Sequence, residues 1–227
     1  MSTKNSKNYS NESVKEYYHS TGLYDSIIYK KNKTNQNLPK EEIIENLLLK
    51  NKKLSNKVTG TNKKIILSNK NYKSKIMVLG DMPSQKDIDN NELFSDDSGE
   101  LLTKMLGAIS IDSSQVYLAN IIPFYLTKEE SKNIKKYNSL LRKIVHEHIS
   151  AINPETILLL GSFALQTLFG EEYSIAKNRG QWLSYSAANN SINIIPSFHP
   201  TFLLKQPSQK KKSWEDLQEL QKKLNNA

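Results

Sequence analysis

The chain has 227 residues, a formal net charge of +9 and 37% hydrophobic residues, which suits one folded domain with an appendage. No apolar run approaches the ~20 residues of a membrane span, and the first ten residues lack the apolar stretch of a secretory signal. The absence of cysteine excludes disulfides, thiol catalysis and thiolate-held metal centres. We therefore expect no metal, no membrane partner and a cytoplasmic location.

Positive charge is concentrated in the first third of the chain. Residues 1–75 hold 16 lysines and six acidic residues, whereas residues 76–227 are nearly neutral. We interpret residues 1–35 as a basic, flexible N-terminal arm and residues 36–227 as the folded domain. Such an arm suits a polyanion, because bound phosphates release counterions. Biased codon usage in an AT-rich genome is an equally simple explanation.

Helical and strand patterns alternate through the rest of the chain. The apolar spacing after Pro39 predicts a helix over 40–50, and later amphipathic stretches predict helices over 99–109, 129–152, 162–169 and 213–224. Short apolar runs predict buried strands over 75–80, 116–122, 156–161 and 192–196. This alternation predicts a three-layer α/β/α domain with a central four-stranded, mostly parallel sheet.

Polar residues follow three of these predicted strands. Asp81 comes directly after the first strand, Asn120 lies inside the second, and His199 follows the fourth on a proline-flanked loop. Each has a simpler explanation, since a turn aspartate, a loop-bonded asparagine and a structural histidine are common. The carboxyl ends of parallel strands share one edge of a sheet, so we expect one polar crevice there.

Six segments, in this order along the chain, resemble the motifs of the uracil-DNA glycosylase superfamily, most closely the family 4 type. They are Gly80-Asp81-Met82-Pro83-Ser84, Leu93 to Leu102, a strand ending in Asn120, Pro154 to Gly161, the pair Arg179-Gly180, and His199-Pro200-Thr201-Phe202-Leu203-Leu204. The resemblance implies an α/β/α enzyme of base excision DNA repair. Such an enzyme hydrolyses the N-glycosidic bond of uracil in DNA, releases free uracil and leaves an abasic site.

The resemblance also implies a role for individual residues. Asp81 and His199 would be catalytic, with Asp81 near the sugar and the attacking water and His199 stabilising charge on the leaving base. Phe94 would stack on the flipped base and Asn120 would read its amide edge. The remaining expected contacts are to the base from Gly80 and Met82, and to DNA from Pro83, Ser84, Arg179, Pro200, Thr201 and Lys205.

The sequence departs from the family pattern in three places. Family 4 enzymes carry four cysteines around an iron–sulfur cluster, and this chain has none. We therefore expect no cofactor, and the bracing role of the cluster must fall to packing. Asp81 replaces a glutamate, and Asp96 and Asp97 add carboxylates near the crevice, where they would repel phosphate. Asp87 falls where the family often has another acid.

Two further hypotheses therefore remain open beside the uracil-DNA glycosylase. One is a catalytically impaired, nucleic-acid-binding member of the same fold, and the other is a glycosylase for another deaminated base. The expected partner is uracil-containing DNA, bound by a monomer associated with a bacterial-type nucleoid.

Overall fold

The computed structural model describes residues 40–187 and 190–226, so the predicted arm over 1–35 lies outside the described residues. The described part contains one sheet in the order β2-β1-β3-β5-β4. Its strands are β1 (Ile76–Gly80), β2 (Val116–Asn120), β3 (Thr156–Leu160), β4 (Leu183–Ala187) and β5 (Asn190–Ser197). The pairs β1–β2, β1–β3 and β3–β5 are parallel. The predicted mostly parallel α/β sheet is therefore confirmed.

The fifth strand corrects the predicted count of four. β4 pairs antiparallel with β5, from Leu183 opposite Ile194 to Ala187 opposite Asn190. It lies at the edge of the sheet, and its side chains alternate between more and less exposed positions. The sequence over 183–187 consequently lacks the continuous apolar run that marks the inner strands, and it was not predicted as a strand.

The helices within the described residues follow the predicted alternation, with different bounds. They are α1 (Lys40–Thr59), α2 (Gln85–Asn90), α3 (Asp97–Gly107), α4 (Lys128–Ser131), α5 (Asn138–Ile152), α6 (Ser162–Phe169), α7 (Ile175–Asn178), α8 (Pro200–Lys205) and α9 (Lys210–Asn225). The predicted helix over 129–152 is broken, because α4 and a 3₁₀ turn, Ile134–Tyr137, precede α5. The first helix runs on to Thr59, and α6 has its predicted bounds. No helix in the described ranges is long and apolar enough to cross a membrane.

Apolar side chains cover both faces of the sheet. In β1, Met77 and Leu79 belong to one core, while Val78 between them belongs to a second. The first core also receives buried residues from α1, α5 and α6, and the second receives them from α3, α8 and α9. Because successive side chains of a strand point to opposite faces, this division places a helical layer on each side.

The loop after β2 is held to the preceding chain by apolar packing. The N–H of Ile66 donates to the carbonyl of Pro123 at 2.8 Å. Leu67, Phe124 and Leu126 are all buried in the first core. This is the loop for which the resemblance implies an iron–sulfur brace. The chain has no cysteine to hold such a cluster, and buried side chains hold the loop in its place.

Candidate active site

Three functional groups meet over Gly80, the last residue of β1. Gly80 lies opposite Asn120 in the parallel register of β1 and β2. A Cβ atom built on Gly80 would lie 2.5 Å from Asn120 Oδ1, 3.0 Å from Phe94 Cζ and 3.4 Å from His199 Nε2. An amide, an aromatic ring and an imidazole from three separate segments therefore converge on one point. Gly80 forms the floor of this crevice, and its missing side chain lets the three groups approach the strand end this closely.

The loop after β5 holds His199 in a defined orientation. His199 is the N-cap of α8, with Pro200 in the first helical turn. The backbone N–H of Thr201 donates to His199 Nδ1 at 3.2 Å. Since Nδ1 accepts a hydrogen bond, the neutral ring carries its proton on Nε2, the atom that faces the crevice.

Burial keeps the His199 ring neutral. Desolvation lowers the pKa of His199 to about 4, although the charges of Asp96 and Asp87 act to raise it. At neutral pH the ring is therefore uncharged, and Nε2 is a hydrogen-bond donor rather than part of a cation.

Two polar atoms of the crevice lack partners. Neither Asn120 Oδ1 nor His199 Nε2 has a hydrogen-bond partner among the described residues, although both atoms are buried. A buried unsatisfied polar atom costs about 1–3 kcal/mol, so native proteins rarely leave two side by side. A planar ring that offers an acceptor to Nε2–H and a donor to Oδ1 would satisfy both. The pair therefore indicates a ligand site.

The Phe94 ring forms the third side of the crevice. Its centroid lies 6.2 Å from that of His199, and the two planes differ by 27°. Phe94 has a φ of +56°, a left-handed conformation that is unusual for a bulky residue and that clusters at ligand clamps. Gly99 makes this conformation possible, because a Cβ there would lie 1.6 Å from the carbonyl oxygen of Phe94.

Buried Asp87 joins the two loops that wall the crevice. Its Oδ2 accepts the backbone N–H of Ser84 at 2.9 Å, in the loop after β1. Its Oδ1 accepts the backbone N–H of Ser95 at 2.6 Å and the Ser95 hydroxyl at 3.0 Å. Ser95 directly follows Phe94, so the carboxylate of Asp87 holds the stacking ring over the end of β1.

The carboxylate of Asp96 serves as a helix cap. It accepts the N–H groups of Ser98 at 3.0 Å and Gly99 at 3.3 Å, and the Ser98 hydroxyl at 2.6 Å. Burial acts to raise the pKa of Asp96, but hydrogen bonds from Ser98, Ser84 and Gly99 together lower it. Its negative charge therefore lies at the positive end of α3.

The carboxyl group of Asp81 lies at the end of β3. A Cβ atom on Gly161, whose φ is +97°, would lie 2.9 Å from Asp81 Oδ2. Asp81 Oδ1 accepts the N–H of Ala164 at 3.0 Å, in the first turn of α6. Burial raises the pKa of Asp81 to about 7, against the opposing effect of the Ala164 hydrogen bond. The structure thus gives Asp81 a helix-capping contact, and its catalytic role stays a prediction.

Arg179 is engaged with α9. Its Nη2 lies 2.7 Å from Oδ1 of Asp216, a residue only 1% exposed, and its guanidinium also stands over the Phe198 ring at 5.8 Å. Asp216 accepts the hydroxyl of Ser197 at 2.7 Å. Burial raises the pKa of Asp216, against the hydrogen bond from Ser197 and the charge of Arg179. Arg179 therefore ties α9 to the start of the His199 loop, and its contact with DNA stays a prediction.

The other predicted residues lie in the segments that directly follow Asp81 and His199 in the chain. Met82 packs against the first core and Pro83 is buried, while Ser84 caps α2. Pro200 and Thr201 lie in the first turn of α8, and Lys205 is exposed at its end. In the described ranges no group of three histidine, aspartate or glutamate side chains could hold a metal ion.

An apolar surface beside the His199 loop was not predicted from the sequence. Phe202 is 39% exposed and Leu204 is 42% exposed, whereas Leu203 between them is buried. A six-residue helix buries only one face. The run Phe202-Leu203-Leu204 in so short a segment was the available signal, because its three consecutive apolar residues point in different directions.

Fold and crevice together define an α/β protein with a polar crevice at the carboxyl ends of parallel strands. A family model described as the Uracil DNA glycosylase superfamily matches residues 68–218, more than half of the chain. The chain therefore belongs to the uracil DNA glycosylase superfamily.

Similar curated proteins bear one name. The chain is 28% identical over 149 residues to the type-4 uracil-DNA glycosylase of Thermotoga maritima, covering 63% of this chain and 73% of that protein. It is 26% identical over 141 residues to the type-4 uracil-DNA glycosylase of Archaeoglobus fulgidus, covering 60% and 70%. The type-4 uracil-DNA glycosylase of Saccharolobus solfataricus is 26% identical over 163 residues, covering 68% and 73%.

Proposed function

We propose that this protein is a uracil-DNA glycosylase, which hydrolyses the bond between uracil and deoxyribose and leaves an abasic site in DNA. One observation carries the proposal, namely the convergence of Asn120 Oδ1, the Phe94 ring and His199 Nε2 over Gly80. The names of the similar curated proteins support the same activity.

Recognition of uracil follows from the groups around the crevice. The base must leave the duplex stack to reach a site enclosed by protein, which costs a few kcal/mol. Stacking on Phe94 offsets about 1–3 kcal/mol of this. Asn120 Oδ1 would accept the uracil N3–H, and the amide nitrogen would donate to O4. Cytosine presents an acceptor at N3 and a donor at C4, so the same amide would meet two mismatched groups.

The chemical step moves one electron pair onto the base. When the bond between C1′ and N1 breaks, its electrons leave with uracil and the negative charge spreads to O2. Neutral His199, with its proton on Nε2, would donate a hydrogen bond to that oxygen. Water then bonds to the cationic C1′ and loses a proton. Asp81 is the candidate to stabilise the sugar cation or to orient this water.

The test is release of free uracil from an oligonucleotide with a single deoxyuridine, compared between wild type and His199→Ala. Removing one donor aimed at developing charge slows a reaction about 10²–10³-fold, and we expect a loss of that size. Lys104→Ala, an exposed change on α3, is the control and should match wild type. Circular dichroism checks that all three proteins are folded.

Other outcomes separate the remaining hypotheses. Wild type that binds DNA but releases no base would favour the catalytically impaired member of the fold. Faster release of hypoxanthine or xanthine than of uracil, in a panel of modified oligonucleotides, would assign another deaminated base.

A further inference from the structure

The excess positive charge lies in a shorter segment of the chain than the whole N-terminal third. Residues 46–80 contain nine lysines and no aspartate or glutamate, which equals the formal net charge of the whole chain, +9. Residues 1–45, which include the predicted basic arm, hold seven lysines against six acidic residues. The basic excess therefore lies on the described part of the chain, in the second half of α1 and the segment leading to β1.

Four of these lysines line one open groove of about 680 Å³. Its walls are Leu49, Lys52, Lys53 and Asn56 from α1, and Asn62, Lys63 and Lys64 from the segment after it. Among the described residues no carboxylate lines the groove, although Glu130, which lies outside the groove lining, pairs with Lys63 at 2.8 Å. Lys52 and Lys53 are exposed. The groove thus presents ammonium and amide groups, both of which bind phosphate oxygens.

The groove connects with the wall of the candidate active site. Nζ of Lys64 donates to the carbonyl of Ile88 at 2.7 Å, and Ile88 lies in α2. The cap of α2 is Ser84, which Asp87 ties to the Phe94 loop. These contacts connect the lysine groove through α2 to the loops that wall the crevice.

We propose that this lysine groove binds the sugar–phosphate backbone of DNA beside the flipped nucleotide. The inference rests on the proposed function in taking DNA as the partner. Charge complementarity carries it, because residues 46–80 hold nine lysines and no aspartate or glutamate, and only Lys50, Lys63 and Lys75 form ion pairs with glutamates from elsewhere in the described residues. The part of the chain that the structure describes contributes no aromatic side chain to the groove for stacking, so the groove would contact the backbone whatever the base sequence.

The experiment measures binding of the full chain to a uracil-free duplex oligonucleotide over a series of salt concentrations. The groove variant is Lys52→Gln/Lys53→Gln/Lys64→Gln. The matched control, Lys104→Gln/Lys143→Gln/Lys222→Gln, removes the same charge from α3, α5 and α9. Each lost phosphate contact lowers the slope of log K against log salt by about 0.9. We expect the slope of log K against log salt to be shallower than that of wild type by about 2 to 3 in the groove variant and by less than 1 in the control.

Lys64→Gln also removes the bond to Ile88, so a second variant carries only Lys52→Gln and Lys53→Gln and should lose about 2 from the slope. An unchanged slope in both groove variants, or an equal loss in the control, would overturn the proposal.

This assay needs no catalysis, so its outcome is separate from that of the proposed function. If wild type releases no uracil but the salt dependence of its DNA binding changes in the groove variants, the glycosylase proposal is wrong and the groove proposal stands. If wild type releases uracil normally but the groove variants keep the wild-type salt dependence, the groove proposal is wrong and the glycosylase proposal stands.

Discussion

Two polar clusters flank the same loop after β5, and they differ in how well their atoms are satisfied. In the first, His199 Nε2 and Asn120 Oδ1 are buried over Gly80 and have no hydrogen-bond partner within residues 40–187 and 190–226. In the second, Asp216 Oδ2 accepts the Ser197 hydroxyl at 2.7 Å, and Oδ1, which has no hydrogen bond among the described residues, lies 2.7 Å from the Arg179 guanidinium in an ion pair. Ser197 and His199 are only two residues apart in the chain, yet one faces a filled network and the other an open one.

This difference distinguishes residues that stabilise the loop from residues that would contact a ligand. A satisfied network stabilises the loop without leaving donors for a ligand, whereas unsatisfied atoms carry a free-energy cost that a bound ring would remove. The comparison predicts that changes in the filled cluster affect stability, and that changes around the open one affect activity.

The largest effect is expected from Arg179→Ala. It leaves the carboxylate of Asp216, which is 1% exposed, without its ion-pair partner. Breaking a buried pair from one side costs about 3–5 kcal/mol, and because Arg179 is partly exposed we expect a loss near 3 kcal/mol. Urea unfolding followed by circular dichroism measures it.

Lys177→Ala, an exposed change two residues earlier on α7, is the control and should shift stability by less than about 0.5 kcal/mol. Unchanged stability in Arg179→Ala together with weaker DNA binding would reverse the assignment and make Arg179 the DNA contact that the sequence predicts.

A smaller effect, confined to activity, is expected from Gly80→Ala. The added methyl would lie 2.5 Å from Asn120 Oδ1 and 3.0 Å from Phe94 Cζ, so it would occupy the space of the base. We expect uracil release to fall about 100-fold, comparable to losing one transition-state donor.

Gly107→Ala is the matched control, because a Cβ there would have no atom of the described residues within 4 Å. It should leave both activity and the unfolding midpoint close to those of wild type. Full activity in Gly80→Ala would show that no ring binds above β1.

The sequence predicted the open cluster better than the filled one, for physical reasons. Asn120 ends the parallel strand β2 and His199 closely follows the parallel strand β5, and such strands have apolar runs that are easy to detect and carboxyl ends that share one edge of the sheet. The partner of Arg179 lies 37 residues away on α9, and no local pattern connects them. Edge strand β4 is half exposed and lacks the apolar run.

For Asp81, too, the sequence predicted the position of the residue but not the contacts of its side chain. Its position after β1 was predictable, but the direction of its side chain depends on the positive φ of Gly161 and on the free N–H of Ala164 in α6. Neither can be deduced from the residues next to Asp81.

The smallest effect, and one that depends on pH, is expected from Asp81→Asn. Burial raises the pKa of Asp81 from 3.8 to about 7, so the folded protein keeps this proton while the unfolded chain loses it near pH 4. The stability contributed by Asp81 is therefore complete below about pH 4 and falls as the pH rises to 7. Asparagine retains an acceptor for Ala164 and does not ionise. A pKa raised from 3.8 to about 7 corresponds to about 4 kcal/mol. Because Asp81 is only partly buried by its accessible surface, we expect about half of this, so the variant should match wild type near pH 4 and be about 2 kcal/mol more stable at pH 8.

His148 and His199 act in the opposite direction, since burial lowers the pKa of each to about 4 and their contribution is lost as the pH falls from 6.5 to 4. Both histidines are present in wild type and in the variant, so their effect cancels in the difference between the two unfolding curves.

Equal stability of wild type and Asp81→Asn at pH 8 would mean that the Asp81 carboxylate is solvated. Uracil release by Asp81→Asn decides its second role, because an unchanged rate would make Asp81 a cap of α6 alone, whereas a rate that no longer rises through pH 7 would place its carboxylate in the reaction.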